Sequence, residues 1–407
     1  MEPLSDRLRL ADNALASYAV KHGSGLGRVH PESDDATRFP FQRDRDRIIH
    51  TQAFRRLKHK TQVFVAGLRP DFGQAVSGKD YGRQAGHGDH YRTRITHTLE
   101  VAQIGRDLAR TLGLNEDLAE AIALAHDLGH TPFGHAGEEA MNACLMPYQK
   151  KFEHNEQSLR IVTVLEDRTS AYSGLNLSQE ILEGLMKHRT PHDTPDAPSI
   201  PRSASLEAQI VNLADEIAYT AHDTDDGLRA EQFSLSNVQK TRLGFLASKR
   251  AEIRSTELRG AIVDALVVDL YRETDFRLKQ EKILTIQDVY AARKPLVSFS
   301  REMQTSLTEL RGFLWDHLYK SDAVQAQAKR GQNILTELFA AFLESPPPKV
   351  LELQKKTDGA LEDAVKDYIA GMTDPYAMQA YEDLKEMEGG KRWKVEKGGK
   401  WKVESGK

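Results

Sequence analysis

Apolar residues recur at helical spacing along most of the chain. The clearest run is Ala121, Ile122, Leu124, Ala125 and Leu128, which leaves little room for a polar face. Such a segment reads as a buried helix. Asn115 is placed to cap it, and Gly129 and Pro132 to end it, which predicts a helix over 116–128. The same pattern predicts helices at 2–20, 43–59, 98–112, 136–149, 154–166, 178–188, 205–223, 236–281, 298–317, 323–344 and 350–371. Two short stretches, 61–65 and 91–96, look like strands, and they are expected to pair as a small β-hairpin near residues 61–96. Between them lies a loop with Gly73, Gly78, Gly82, Gly86 and Gly88 that reads as a lid, and 189–202, with four prolines, is a second loop. Strands and helices do not alternate, so a doubly wound sheet is not expected. The expected architecture is mostly α: a helical bundle with a small hairpin and helical C-terminal extensions. It forms one large unit over 1–388, with a core at about 90–230. Residues 389–407 hold a Trp-Lys-Val-Glu repeat and read as a flexible basic tail or a weak hairpin.

Composition narrows the function classes. The 407 residues are 29% charged and 39% hydrophobic, with a net charge of −4, which fits a soluble globular protein without a global basic footprint for nucleic acid. Trp393 and Trp401 in the tail, and the basic stretch 43–60, keep local nucleic-acid contact open as a lesser alternative. The single cysteine, Cys144, excludes an intramolecular disulfide and a thiolate cluster. No stretch resembles a signal peptide or approaches about 20 apolar residues, so the expectation is a cytoplasmic protein with no membrane partner.

The histidines carry the chemistry. Seven of the fifteen fall between His87 and His154. His126 and Asp127 are adjacent at the end of the apolar helix, His97 opens another helix, and Asp215 interrupts the core-like run 210–219. Buried carboxylates need a partner, and a divalent metal would satisfy all four residues. Thiol-free ligation by two imidazoles and two carboxylates fits Mg²⁺ or Mn²⁺ foremost, with Fe²⁺ and Ni²⁺ also open and Zn²⁺ less favoured. Asp215, Tyr219, His222 and Asp223 share one helical face, so one wall would carry a ligand, an aromatic hydroxyl and a second carboxylate.

His97, His126-Asp127 and Asp215 together match the H…HD…D pattern of HD-domain metal-dependent phosphohydrolases. The extended stretches 54–63, 92–101, 125–138 and 214–219 resemble the deoxyguanosinetriphosphate triphosphohydrolase family, in order, across about 40–385. That resemblance implies an HD-type bundle that hydrolyses a deoxynucleoside triphosphate, dGTP or several dNTPs, to deoxynucleoside and inorganic triphosphate. It implies His97, His126, Asp127 and Asp215 as metal ligands and His135 as the acid that protonates the leaving 5′-oxygen, with Glu138 orienting it. His130 and His154 would reach the α-phosphate or support the acid. Gln62 and Asp223 would contact the 3′-hydroxyl, Arg94 phosphate and base, and Tyr219 the C2′ edge of the sugar. His154 resembles the broader-specificity branch. The family further implies a homo-oligomer, a hexamer among its forms, and a dNTP effector at a separate site. Two alternatives stay open: another HD phosphohydrolase acting on nucleotides or single-stranded DNA ends, and a nucleotide-sensing protein without turnover.

Overall fold

The computed structural model describes residues 3–63, 92–188, 203–388, 392–395 and 401–404. The helices are α1 (Leu4–Ala14), α2 (Pro40–Ile49), α3 (Gln52–Arg56), α4 (Arg94–Thr111), α5 (Glu116–Ala125), α6 (Gly134–Leu145), α7 (His154–Arg160), α8 (Gln179–Met186) and α9 (Leu206–Arg229). They continue with α10 (Leu235–Val238), α11 (Arg242–Arg254), α12 (Leu258–Gln280), α13 (Ile286–Ala291), α14 (Arg301–Leu314), α15 (Asp322–Glu344), α16 (Pro348–Thr357), α17 (Leu361–Ala370) and α18 (Asp374–Glu388). The mostly helical expectation holds. Of the hairpin expected near 61–96, one antiparallel bridge, Thr61 to Thr93, is present. The rest of that hairpin and its glycine loop lie outside the described residues, as does the loop 189–202. Among the described residues the paired strands are β1 (Arg392–Val395) and β2 (Trp401–Glu404), antiparallel with Trp393 opposite Val403, so the tail repeat pairs with itself.

Several boundaries differ from the sequence pattern for local reasons. The segment 43–59 breaks at Thr51, whose Oγ1 accepts from Phe54 N at 3.0 Å and starts a new helix. The long run 236–281 becomes three helices, because Thr241 caps α11 and Ser255 adopts φ +53 after it. Asp358, at φ +48, divides 350–371 in the same way. Residues 94–96, expected in a strand, already belong to α4, because Arg94 N donates to Lys60 O and the chain turns helical at once.

Two apolar clusters form the interior. The first joins α4, α5 and α9 with α11, α12 and α14, and the second packs α6 against α15, α17 and α18. Helix α5 is the hub of the first. Asn115 Oδ1 accepts from Leu118 N at 3.2 Å, acidic residues occupy its first turn, and every residue from Leu118 to Ala125 except Glu120 is buried. Gly184 lets α8 approach it closely: a Cβ there would lie 2.7 Å from Ile122 Cδ1. Helix α9 is buried over most of its length, and it carries Asp215, Tyr219 and Asp223 into the interior.

Candidate active site

Helix α5 stops at Ala125, and residues 126–133 turn before α6 starts at Gly134. His126 and Asp127 therefore sit in the turn, not inside the helix. Gly129 explains the tightness here. A Cβ on it would lie 2.1 Å from His154 O and 2.3 Å from Ser158 N, so the start of α7 is seated on bare backbone. Ser158 Oγ completes the joint, accepting from Gly129 N at 2.8 Å and donating to His126 O at 2.7 Å. At the far end Phe133 adopts φ +62, a left-handed conformation uncommon for a bulky residue. Asp374 of α18 holds it by accepting from Phe133 N at 3.0 Å, and it also accepts from Thr61 N at 2.9 Å. Fully buried Lys60 donates to the carbonyls of His130 and Ala370. Burial pushes its pKa down to about 7, against the pull of Asp374.

The structure brings the four expected metal residues together from α4, the 126–133 turn and α9. His97 Nε2 is 2.9 Å from Asp215 Oδ1 and 3.9 Å from Asp127 Oδ2. His126 Nε2 is 3.4 Å from Asp127 Oδ1 and 3.8 Å from Asp215 Oδ1. All four are at least nine-tenths buried. Burial disfavours charge on both carboxylates, but the surrounding imidazoles, with Arg94 beside Asp127, hold both well below the usual carboxylate range. His126 Nδ1 lies 2.6 Å from Ala123 O, which fixes the ring with Nδ1–H donating. Its Nε2 is then an acceptor, buried, facing two carboxylates, with no hydrogen-bond partner. An acceptor aimed at acceptors fits a cation between them. The residues present therefore suit a divalent metal.

Behind His97 runs a line of hydrogen bonds. Its Nδ1 lies 2.9 Å from His222 Nε2, His222 Nδ1 lies 2.8 Å from Asp223 Oδ1, and Tyr319 donates its hydroxyl to Asp223 Oδ2. Asp223, expected to meet substrate, thus also anchors the orientation of His97, one of the expected metal residues. Tyr319 was not evident from sequence. It ends a π-helical turn, Trp315–Tyr319, that widens the close of α14 and brings both aromatic residues to the cleft.

A cleft of about 1520 Å³ opens over this centre, walled by residues of both apolar clusters. Gln62, Arg94, His97, Asp127, His130, His135, Glu138, His154, Asp215, Tyr219 and Asp223 all line it, and His126 alone of the expected set lies beneath its wall. The catalytic candidates separate by exposure. His135 is open, with its side chain 56% exposed, whereas His130 and His154 are buried and stacked with centroids 3.9 Å apart. Glu138 lies 3.0 Å from His154 Nδ1 and 3.8 Å from His135 Nδ1. It serves both rings and holds His154 more closely, rather than orienting His135 alone. Burial opposes its ionisation, but the two histidines keep its pKa well below the ordinary value. His130 was expected, with His154, to reach the α-phosphate or support the acid. Burial, with Arg94 and His154 beside it, pushes its pKa far down. As a neutral ring it meets Asp127 Oδ1 from Nε2 at 3.0 Å. It therefore turns back to the centre rather than out past the helix break. Arg94 likewise donates to Asp127 Oδ2 at 2.8 Å while lining the cleft.

Sequence reasoning missed His188, just after α8. It is 1% exposed and its Nε2 is 3.5 Å from Asp215 Oδ2. Its neighbours are polar and no apolar frame marks it, so only packing reveals it. It also missed Lys151, Lys187, Lys320 and Lys329, which line the cleft from four separate segments and supply positive charge where a polyphosphate would lie.

An HD domain matches residues 94–220, and a phosphohydrolase-associated domain matches 297–383. A deoxyguanosinetriphosphate triphosphohydrolase-like protein of Azoarcus is 44% identical over 390 residues, covering 91% of this chain and 96% of that one. Proteins of the same description from Geobacter sulfurreducens and Thiobacillus denitrificans are 42% and 43% identical, covering 91% and 92% of this chain and 95% and 98% of theirs. A solved structure of a hypothetical protein from Aquifex aeolicus aligns over 75% of this chain and 79% of its own, at 17% identity and a TM-score of 0.30. Among the described residues no helix is long and apolar enough to cross a membrane.

Proposed function

From the membership of this chain in the deoxyguanosinetriphosphate triphosphohydrolase-like family of HD-domain phosphohydrolases, we propose that it hydrolyses deoxynucleoside triphosphates to deoxynucleoside and inorganic triphosphate. The observation that carries the reading is the buried His126 Nε2, an acceptor without a partner facing two carboxylates beneath a lysine-lined cleft. His97, His126, Asp127 and Asp215 would hold a divalent metal. When bound, that ion supplies charge neutralisation at the phosphate and a lowered pKa for water.

The remaining steps belong to the chain itself. Buried Arg94 and the cleft lysines bind the triphosphate through charge-assisted contacts. Gln62, whose Oε1 is buried without a hydrogen-bond partner, and Asp223 take the sugar hydroxyl. Tyr219 packs against C2′, where a ribose hydroxyl would not fit. Water adds to the α-phosphorus and releases a proton to solvent, the bond from phosphorus to the 5′-oxygen breaks, and His135 gives that oxygen a proton that solvent later replaces. Glu138 and His154 hold His135 in place and offer a path to restore its proton, and neutral His130 fixes Asp127.

The test incubates the four dNTPs, singly and mixed, with Mg²⁺ or Mn²⁺ and resolves the products. Triphosphate and deoxynucleoside in equal amounts are expected, with little turnover of ribonucleotides and none by Asp127→Ala. Orthophosphate, pyrophosphate or nucleoside monophosphate as the product would overturn the proposal.

A further inference from the structure

We propose that His188 is a fifth protein donor to the metal centre, and that the resulting set of three imidazoles and two carboxylates selects a divalent transition metal over Mg²⁺. The inference rests on the reading of His97, His126, Asp127 and Asp215 as ligands. Its basis is the division of Asp215. Oδ1 faces His97 at 2.9 Å and His126 at 3.8 Å, while Oδ2 faces His188 at 3.5 Å. The ligand atoms of His126, His188 and Asp215 lie within 4.8 Å of one another, as do those of His97, His126 and Asp127. The two triads share His126, and the second reaches His188 through Asp215.

The rings of His97 and His188 both pack against that of His126. The His126 and His188 centroids are 5.0 Å apart with planes inclined at 55°, and those of His97 and His126 are 5.6 Å apart at 63°. The carboxylate of Asp215, which faces both His97 and His188, is what joins the fifth residue to the centre. His188 is 1% exposed and lines the same cleft as Asp215, so it needs no large movement to take part.

The consequence for the metal follows from ligand chemistry. Mg²⁺ favours oxygen donors and retains several waters. Three imidazoles suit Fe²⁺, Co²⁺, Ni²⁺ or Zn²⁺, and two carboxylates keep Mn²⁺ in range.

The experiment strips the full-length protein with a chelator and titrates it calorimetrically with Mn²⁺, Co²⁺ and Mg²⁺. The Co²⁺ visible spectrum and the nitrogen couplings of bound Mn²⁺ by pulsed EPR are then recorded. Wild type is expected to bind Mn²⁺ and Co²⁺ at least tenfold more tightly than Mg²⁺. His188→Ala should weaken both by about tenfold or more, alter the Co²⁺ spectrum and remove one nitrogen coupling. His188→Gln, with similar reach, serves if the alanine variant does not fold. An unchanged nitrogen count overturns the proposal, whether or not affinity falls, because His188 would then act only on Asp215. Mg²⁺ bound as tightly as Mn²⁺ also overturns it. Wild type binding no ion stoichiometrically would instead defeat the underlying ligand assignment, and His126→Ala, expected to abolish binding, separates the two.

Discussion

Replacing Gly129 by alanine tests whether the seat of α7 on the 126–133 turn matters for turnover. The added Cβ would lie 2.1 Å from His154 O, 2.3 Å from Ser158 N and 2.7 Å from Gln157 C. All three are backbone atoms, so no side chain can swing aside, and α7 must retreat by roughly 1 Å to restore normal contact. That retreat strains the hydrogen bonds from Gly129 N to Ser158 Oγ and from Ser158 Oγ to His126 O. Overpacking costs about 1–3 kcal/mol and each weakened hydrogen bond up to about 1 kcal/mol, so a loss of about 2–4 kcal/mol is expected. The functional effect should be sharper. His154 rides on the first turn of α7, stacked on His130 and tied to Glu138, and a misplacement near 1 Å can cost about 100-fold in rate. Denaturant melts, steady-state kinetics on a dNTP and metal stoichiometry by calorimetry form the assay. The expected variant melts earlier, keeps its metal stoichiometry and turns over about 100-fold more slowly. A variant with wild-type stability would refute the packing argument. One that is destabilised yet turns over normally would remove His154 from the reacting machinery.

Two further outcomes follow from buried charge. Glu207 is fully buried, accepting from Val20 N at 3.0 Å and Asn115 N at 3.2 Å, and burial pushes its pKa from 4.5 up to about 7. The folded state therefore holds this proton up to about pH 7, whereas the unfolded chain releases it from about pH 4.5. Its contribution is complete below pH 4.5 and is lost as pH rises to 7, a swing of roughly 3 kcal/mol. Glu207→Gln cannot ionise, so its stability relative to wild type should climb across pH 4.5–7 and stay level above; a constant difference would contradict the assignment. Chelation should lower the thermal midpoint and Mn²⁺ should restore it by mass action, because binding stabilises the folded state alone. A midpoint indifferent to both would count against a metal among these residues.

The proposed ligand set was legible because its chemistry conflicts with its surroundings: His126-Asp127 closes one apolar helix and Asp215 interrupts another, and a buried charge demands an explanation. Helix α15, an uninterrupted amphipathic pattern, was read to within a residue. The continuous apolar spacing over 236–281 hid two breaks, since Thr241 and Ser255 act through local backbone bonds that the hydrophobic period does not register. His188 carries no such conflict in its own segment. Its placement beside Asp215 comes from the packing of α8 on α5, a tertiary fact. The closer link of Glu138 to His154 escaped for a similar reason. Spacing relates Glu138 to His135 on one helix, but only the seat at Gly129 shows how near α7 comes.

Asp374 gives the chain a temporal order as well as a shape. Its bonds to Thr61 and Phe133 reach back across 313 and 241 residues. A ribosome emitting this chain releases His97, His126, Asp127 and Asp215 long before the carboxylate that settles the turn at Phe133. The residues proposed to hold the ion can meet on the nascent chain, but the turn waits for nearly the whole polypeptide, because its bond to Asp374 closes a loop of 241 residues. On the proposed function, a partial chain would gather its ion before its histidines are fixed for hydrolysis.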